Sequence, residues 1–337
     1  MELTNGTTVH EFILLGLEEG NQKRFFLRIL FTIVYISTLA ENGTIIMLVR
    51  VDAQLAQLPM YNFLANFSLL EICYVTTTLP RMLFDLAFPR GIISFQACFL
   101  QFYIFYSLGS TEDFFLSAMA LDRYLAICHP LYYPTIMSPK NCSKLVASCW
   151  MAGFLVYAVP IILISRLSFC GPNISDHFLC DQWLLSLACP PLGNVPLILF
   201  SMNIFIILGN LIFVTISYGV IIVTLIKSSN QSGRKKAFST ISFHLMVVAL
   251  FYGSVAGLYV APGGKDQSRA SKIVTVFYTA VTPLLNPMIY CLRNNQMKEA
   301  LDRLVRQVEQ WLRKKDHIVT TGMERRNRIT SLYYHCC

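Results

Sequence analysis

Residues 95–133, FQACFLQFYIFYSLGSTEDFFLSAMALDRYLAICHPLYY, decide the fold. They open with an apolar run long enough to cross a bilayer, which takes roughly 20 residues of helix, and close on MALDRYLAICHPLYY at 119–133. An Asp122-Arg123 pair set directly at the end of a membrane span is costly unless it works as a switch. The plainer alternative is an interfacial ion pair that only anchors the helix end.

Outward from this segment the same pattern recurs. The 337-residue chain is 55% hydrophobic and only 14% charged, too apolar for a soluble domain of this length. Its apolar residues segregate into seven runs, about 27–51, 59–86, 95–127, 145–165, 197–226, 237–260 and 271–292. Strand alternation and internal repeats are absent, so the runs read as helices rather than a barrel. The expected fold is therefore an all-α membrane protein, a seven-transmembrane helix bundle, with an outer segment 1–26, a bundle 27–292 and a tail 293–337. No cleavable signal peptide is evident, and the first span is expected to act as the insertion signal.

Charge gives the orientation. Eighteen Lys and Arg residues fall on one side of the spans, ten of them from Arg293 to Arg328, and nine on the other. The positive-inside rule puts the N-terminus outside and the C-terminus in the cytosol, and the net charge of +8 is mostly this cytosolic excess. Nucleic acid is a poor account of that charge, because it lies in short loops and a tail beside membrane spans. After Leu292, Gln296–Arg313 reads as an amphipathic basic helix with Ala300, Leu301, Leu304, Val308 and Leu312 on one side, suited to lie along membrane lipid. The terminal Cys336-Cys337 is not a prenylation box.

Of eleven cysteines, Cys98, Cys170, Cys180 and Cys189 fall on the oxidising side, where four permit three pairings. Cys98 tops the third helix, with Arg123 25 residues later and roughly 38 Å along the axis, so Cys98 is free to staple the long outer loop to that helix. Six Asn-x-Ser/Thr sequons occur, but topology leaves only Asn5 and Asn173 open to glycosylation.

MALDRYLAICHPLYY, SYGVII at 217–222, GRKKAFSTISFHL at 233–245 and PLLNPMIYCLRN at 283–294 resemble, in order and spacing, the signatures of vertebrate olfactory receptors within the rhodopsin-like G-protein-coupled receptors. So do EFILLGL at 11–17, PMYNFLANFSLLE at 59–71 and CGPNISDHFLC at 170–180. The resemblance runs from about residue 8 to about 305. It implies an odorant ligand and a stimulatory, olfactory-type heterotrimeric G protein acting through adenylyl cyclase. It also implies a plasma-membrane location in the cilia of olfactory neurons, assistance from a trafficking chaperone, and disulfides Cys98–Cys180 and Cys170–Cys189. The switch it implies is Asp122 and Arg123 with Tyr218, Tyr290 and His244 at the inner ends of helices five, seven and six; for His244 a structural hydrogen bond is the alternative. Glu41, Asp113, Leu121, Ile241 and Phe243 depart from the family's usual residues.

Asn286-Pro287 removes a backbone hydrogen bond within helix seven and permits a kink, a hinge by resemblance and otherwise an ordinary membrane-helix proline. Glu71 and Glu112 lie near mid-span, where an ionised carboxylate costs at least a few kcal/mol unless paired. With Asn42 and Asn286 as neighbours, they would either share a proton or hold a cation, an allosteric sodium ion by hypothesis. Asp113 would strengthen cation binding if it points inward.

For the ligand, Phe102, Phe105, Tyr106, Gly109 and Ser110 recur at helical spacing above these acids, where the resemblance puts the odorant pocket. Met202, Asn203 and Ile206 of helix five and Val255, Ala256 and Tyr259 of helix six are expected to complete the wall. Such a pocket is mostly apolar and suits a small neutral molecule. No carboxylate occupies the helix-three position where amine receptors carry one, which argues against a biogenic amine. No phosphate loop, metal-ligand spacing or nucleophile with its base appears, so an enzyme is not expected. A signalling-silent member of the family is the alternative. A transporter or channel is the rival class, but the paired repeats and broken helices it should show are missing.

Overall fold

The structure is a computed structural model that describes residues 9–17, 20–88, 91–170, 172–227, 238, 241, 242, 244–254, 265–293, 296–307, 309 and 310. Five long helices follow in order: α1 (Asn21–Val51), α2 (Pro59–Ala87), α3 (Phe95–Cys128), α4 (Pro139–Ser165) and α5 (Val195–Lys227). Helix α6 is described over His244–Ser254. Helix α7 comprises Lys265–Val276, a π turn Phe277–Val281 and Thr282–Arg293. A short α8 covers 296–307.

By length and composition, α1, α4, α5 and the part of α7 from Arg269 to Ile289 qualify to cross a membrane. Helices α2 and α3 have the length, 29 and 34 residues. Their apolar runs are broken by Glu71, Arg81 and Asp85, and by Glu112, Asp113, Asp122 and Arg123. The bundle is accordingly inside-out relative to a soluble domain. Phe205 and Leu155 are 80% and 71% exposed on its outer surface, while Asn42, Glu71, Glu112, Asp113 and Asn286 are buried. An apolar exterior of this extent needs lipid to cover it.

Local chemistry sets the helix ends. Pro59 and Pro139 occupy first-turn positions, where their missing N–H is no loss. Ser94 caps α3, its Oγ accepting from the Ala97 N–H at 3.3 Å. Helix α3 is the axis of the assembly, packing against α2, α4 and α5, while α1 packs on α2 and α7. At the α3–α4 crossing a Cβ on Gly153 would stand 1.9 Å from Thr111 Oγ1, so only glycine permits this approach.

Three outer segments form a small sheet that helical periodicity did not foretell. Strand β1 (Glu11–Leu14) lies between β2 (Ile92–Ser94), antiparallel with Phe12 opposite Ile93, and β3 (Ile174–Ser175), parallel with Ile13 opposite Ile174. Phe12 is fully buried beneath it against Phe95, Phe99 and Phe169. The disulfide Cys98–Cys180 fixes the second outer loop to the top of α3, and Cys170–Cys189 closes that loop on itself.

Helix α8 departs from the single apolar side read from sequence. Met297, Ala300 and Leu304 pack on the bundle core, whereas Leu301 is exposed on another face together with Val305. Val308 and Leu312 lie outside the described residues. Tyr61 Oη donates to Gln296 Oε1 at 2.7 Å, and Arg303 donates to Asp52 Oδ2 through Nε at 3.0 Å and Nη2 at 2.7 Å.

Candidate functional site

A cavity of about 470 Å³ opens among the outer halves of the helices. Helix α3 supplies Phe105, Tyr106, Gly109, Ser110 and Asp113, a single face at helical spacing. Helix α4 adds Tyr157, α5 adds Leu199, Asn203 and Ile207, α6 adds Phe251, and α7 adds Ser271, Thr275 and Tyr278. Asp181, Gln182, Trp183 and Leu185 of the second outer loop also line it. The 3₁₀ turn Gln182–Leu187 is held by Asp181, whose Oδ1 accepts from the Trp183 N–H at 3.0 Å. Burial raises the Asp181 carboxyl above its usual range, although His177, 3.9 Å from Oδ2, and the Trp183 amide pull the other way.

Several polar wall groups are already engaged. Ser110 Oγ donates to Gly153 O at 2.9 Å, Tyr157 Oη to Asn203 Oδ1 at 2.5 Å, and Tyr252 Oη of α6 to Asp113 Oδ1 at 2.7 Å. A Cβ on Gly109 would come within 2.7 Å of Tyr278 Oη, so the glycine keeps α7 close to α3.

Of the residues expected from sequence, Phe105, Tyr106, Gly109, Ser110 and Asn203 line the cavity, whereas Phe102, Met202 and Ile206 do not. Phe102 is fully buried in an outer cluster with Phe12, Phe169, Cys180 and Leu184, because the N-terminal strand and second loop fill the level where a ligand was expected. Helix α5 presents its 199–203–207 face, so Ile206 points into the outer cluster and Met202 is off the wall. Val255, Ala256 and Tyr259 lie outside the described residues. Two signals were readable but unused: Asp181 directly follows a cysteine tied to α3, and Ser271, Thr275 and Tyr278 form a polar stripe at i, i+4, i+7.

Below the cavity, Asn286 Nδ2 donates to Glu71 Oε1. Glu112 is near enough to both Glu71 and Asp113 to feel their charge. Among the described residues, the buried acceptors Glu112 Oε1 and Asn286 Oδ1 have no hydrogen-bond partner, which fits either a small cation or a shared proton. Among the described residues, no three His, Cys, Asp or Glu side chains converge as a metal cluster would require. Pro287 cannot bond the carbonyl of residue 283, and Asn42 takes over: its Nδ2 donates to Pro283 O at 3.3 Å and to Thr38 O at 3.0 Å.

At the cytoplasmic end Asp122 and Arg123 form the local pair, Arg123 Nε donating to Asp122 Oδ2 at 2.9 Å while Tyr133 Oη donates to Oδ1 at 2.8 Å. Tyr218 and His244 are buried close to Arg123, and Ile241 packs with Ala120, Val214 and Tyr218. The Tyr290 side chain, Phe243 and Asn5 lie outside the described residues. Asn173 Nδ2, the atom a glycan would occupy, donates to Glu11 O at 2.7 Å.

Squid rhodopsin, by its crystal structure, is superposable at a TM-score of 0.69 over 85% of this chain and 81% of that one, with 18% sequence identity. The fold is therefore that of the rhodopsin-like receptors. A family model described as olfactory receptor matches residues 31–308. Two Homo sapiens proteins, olfactory receptor 11G2 and olfactory receptor 11H6, are each 49% identical, the first over 89% of this chain and 87% of its own length, the second over 88% and 90%. The chain belongs to the olfactory receptor family, and so is a multi-pass membrane receptor and not an enzyme.

Proposed function

We propose that this receptor binds a small, mostly apolar odorant in the cavity between α3, α5, α6 and α7, and activates a stimulatory, olfactory-type heterotrimeric G protein that raises cAMP. The observation that carries the reading is the cavity itself, whose lining reaches the middle of α3 at Asp113 and touches α6 at Phe251. The closed Asp122–Arg123 pair lies further along the same α3. A ligand that repositions α3 against α6 acts on both ends through these two helices. Ciliary delivery, help from a trafficking chaperone, glycosylation at Asn5 and Asn173, and a cation among Asn42, Glu71, Glu112 and Asn286 belong to the same reading.

The test is cAMP in cells that co-express the receptor, an olfactory-type stimulatory G protein and a trafficking helper, against a broad odorant panel with surface labelling. A dose-dependent rise that Arg123→Ala removes at unchanged surface level supports the reading; good surface expression with no response to any ligand overturns it. A second reading, a poorly delivered or silent member, is favoured by Glu41, whose Oε2 is buried in α1 and has no hydrogen-bond partner among the described residues.

A further inference from the structure

We infer that the cavity selects ligands carrying one protonated nitrogen on an apolar body, held by the carboxylate of Asp113 beside its present hydroxyl donor on α6. The inference rests on the proposed ligand cavity and narrows its substrate class.

Among the described residues that line the cavity, two are carboxylic acids, Asp113 and Asp181, and none is Lys, Arg or His. Asp113 is 3% exposed and sits within a membrane helix, where a carboxylate needs a partner. Among the described residues its one hydrogen-bond donor is Tyr252, at 2.7 Å. A single neutral donor would leave an ionised Asp113 unbalanced, whereas an ammonium donates and neutralises together.

The rest of the wall points the same way. Ser110 spends its hydrogen on the Gly153 carbonyl, and Tyr157 spends its own on Asn203 Oδ1. Gln182, Trp183, Ser271 and Thr275 add neutral hydrogen-bonding groups, and among the described lining residues the acids Asp113 and Asp181 are the groups that can carry charge. The aromatic faces of Phe105, Tyr106, Phe251 and Tyr278 suit both an apolar body and an adjacent cation. The amine-receptor position is indeed without an acid, but Asp113 enters the cavity two turns deeper than Phe105.

This geometry also couples binding to movement. An ammonium on Asp113 draws on the same carboxylate that accepts from Tyr252, so it weakens the hydrogen bond that ties α6 to α3.

The experiment uses the full-length receptor, purified into lipid nanodiscs, and follows its thermal unfolding with matched amines and alcohols on hexyl, cyclohexyl, benzyl and 2-naphthylmethyl frames. At least one amine is expected to stabilise the protein more than its alcohol, with an apparent affinity about tenfold higher or more. Asp113→Asn, which keeps an acceptor for Tyr252, is expected to erase that preference. Should Asp113→Asn fail to fold, Tyr252→Phe takes its place and is expected to tighten amine binding. The inference is overturned if no amine stabilises the receptor, if alcohols match the amines, or if Asp113→Asn retains the preference. Amine stabilisation without any cAMP response would leave this inference standing and remove the signalling reading.

Discussion

Asn42 serves two carbonyls with one amide group, and one of them exists as an acceptor only because residue 287 is proline. Replacing Asn42 with Leu keeps the volume and strands Pro283 O, a loss of about 1–3 kcal/mol visible in thermal unfolding of the purified receptor. Glu112 is a sharper case, since its Oε1 has no partner among the described residues. Raising sodium at constant ionic strength is expected to raise the unfolding temperature of the native receptor and to do nothing for Glu112→Gln; a native protein indifferent to sodium would assign the site to a shared proton. Glu41→Gln removes a lone charged group from α1 and is expected to increase surface labelling, by relief of up to about 3 kcal/mol of insertion cost. Single residues were also where sequence reading went furthest and then stopped. The α3 stripe was legible because helical spacing puts its members on one face, while the expectation that it and Asn203 of α5 border a pocket came from the family resemblance. Phe102 shares that spacing but packs outside the cavity, in a cluster with Phe12 of an outer strand of four residues that is too short for any periodicity to reveal.

Helices were legible almost throughout, since a run of apolar residues bounded by proline, serine and charge says where one begins and ends. What the runs could not show is how elements meet. Helix α8 is an example: its apolar residues read as one side, yet the bundle divides them between core and lipid. Its anchor is the ion pair from Arg303 to Asp52, a residue whose Oδ1 also caps the short turn Ala53–Ala56. Burial raises the Asp52 carboxyl, but Arg303 and the amides of Leu55 and Gln54 outweigh it and hold it below its usual value. A folded pKa lowered in this way stabilises above the ordinary carboxylate range, and that stability is lost as pH falls through the folded value. Protection of 296–307 against amide exchange, taken relative to the intrinsic rate at each pH, is therefore expected to be steady near neutrality and to fall in acid. Asp52→Asn, which can still cap, is expected to cost no more than about 1 kcal/mol, and Asp52→Ala about 0.5–2 kcal/mol from the lost cap alone.

For the whole molecule, composition and charge asymmetry announced a membrane bundle, and the inside-out distribution of polar residues agrees with it. The outer assembly was less legible, because it depends on chain segments remote in sequence: residues 11–14, 92–94 and 174–175 meet only once the bundle exists. Cys98–Cys180 then carries Asp181 to the cavity wall. Cys98→Ser is expected to lower stability by about 2–4 kcal/mol and to weaken ligand binding in the same thermal assay through displacement of that loop. The π turn Phe277–Val281 has its own molecule-wide consequence. It inserts one residue between the half of α7 that faces the cavity, at Ser271 and Thr275, and the half that carries Asn286 to Glu71. It is thus a phase adjuster between the sensing and transmitting ends. Deleting a single residue there is expected to close the turn into ordinary α-helix and leave the inner half facing as it does, whereas deleting Thr282 from the regular helix just below would rotate everything beyond it by about 100°, leaving a receptor with half of its cavity wall intact and its inner half dialled to the wrong azimuth.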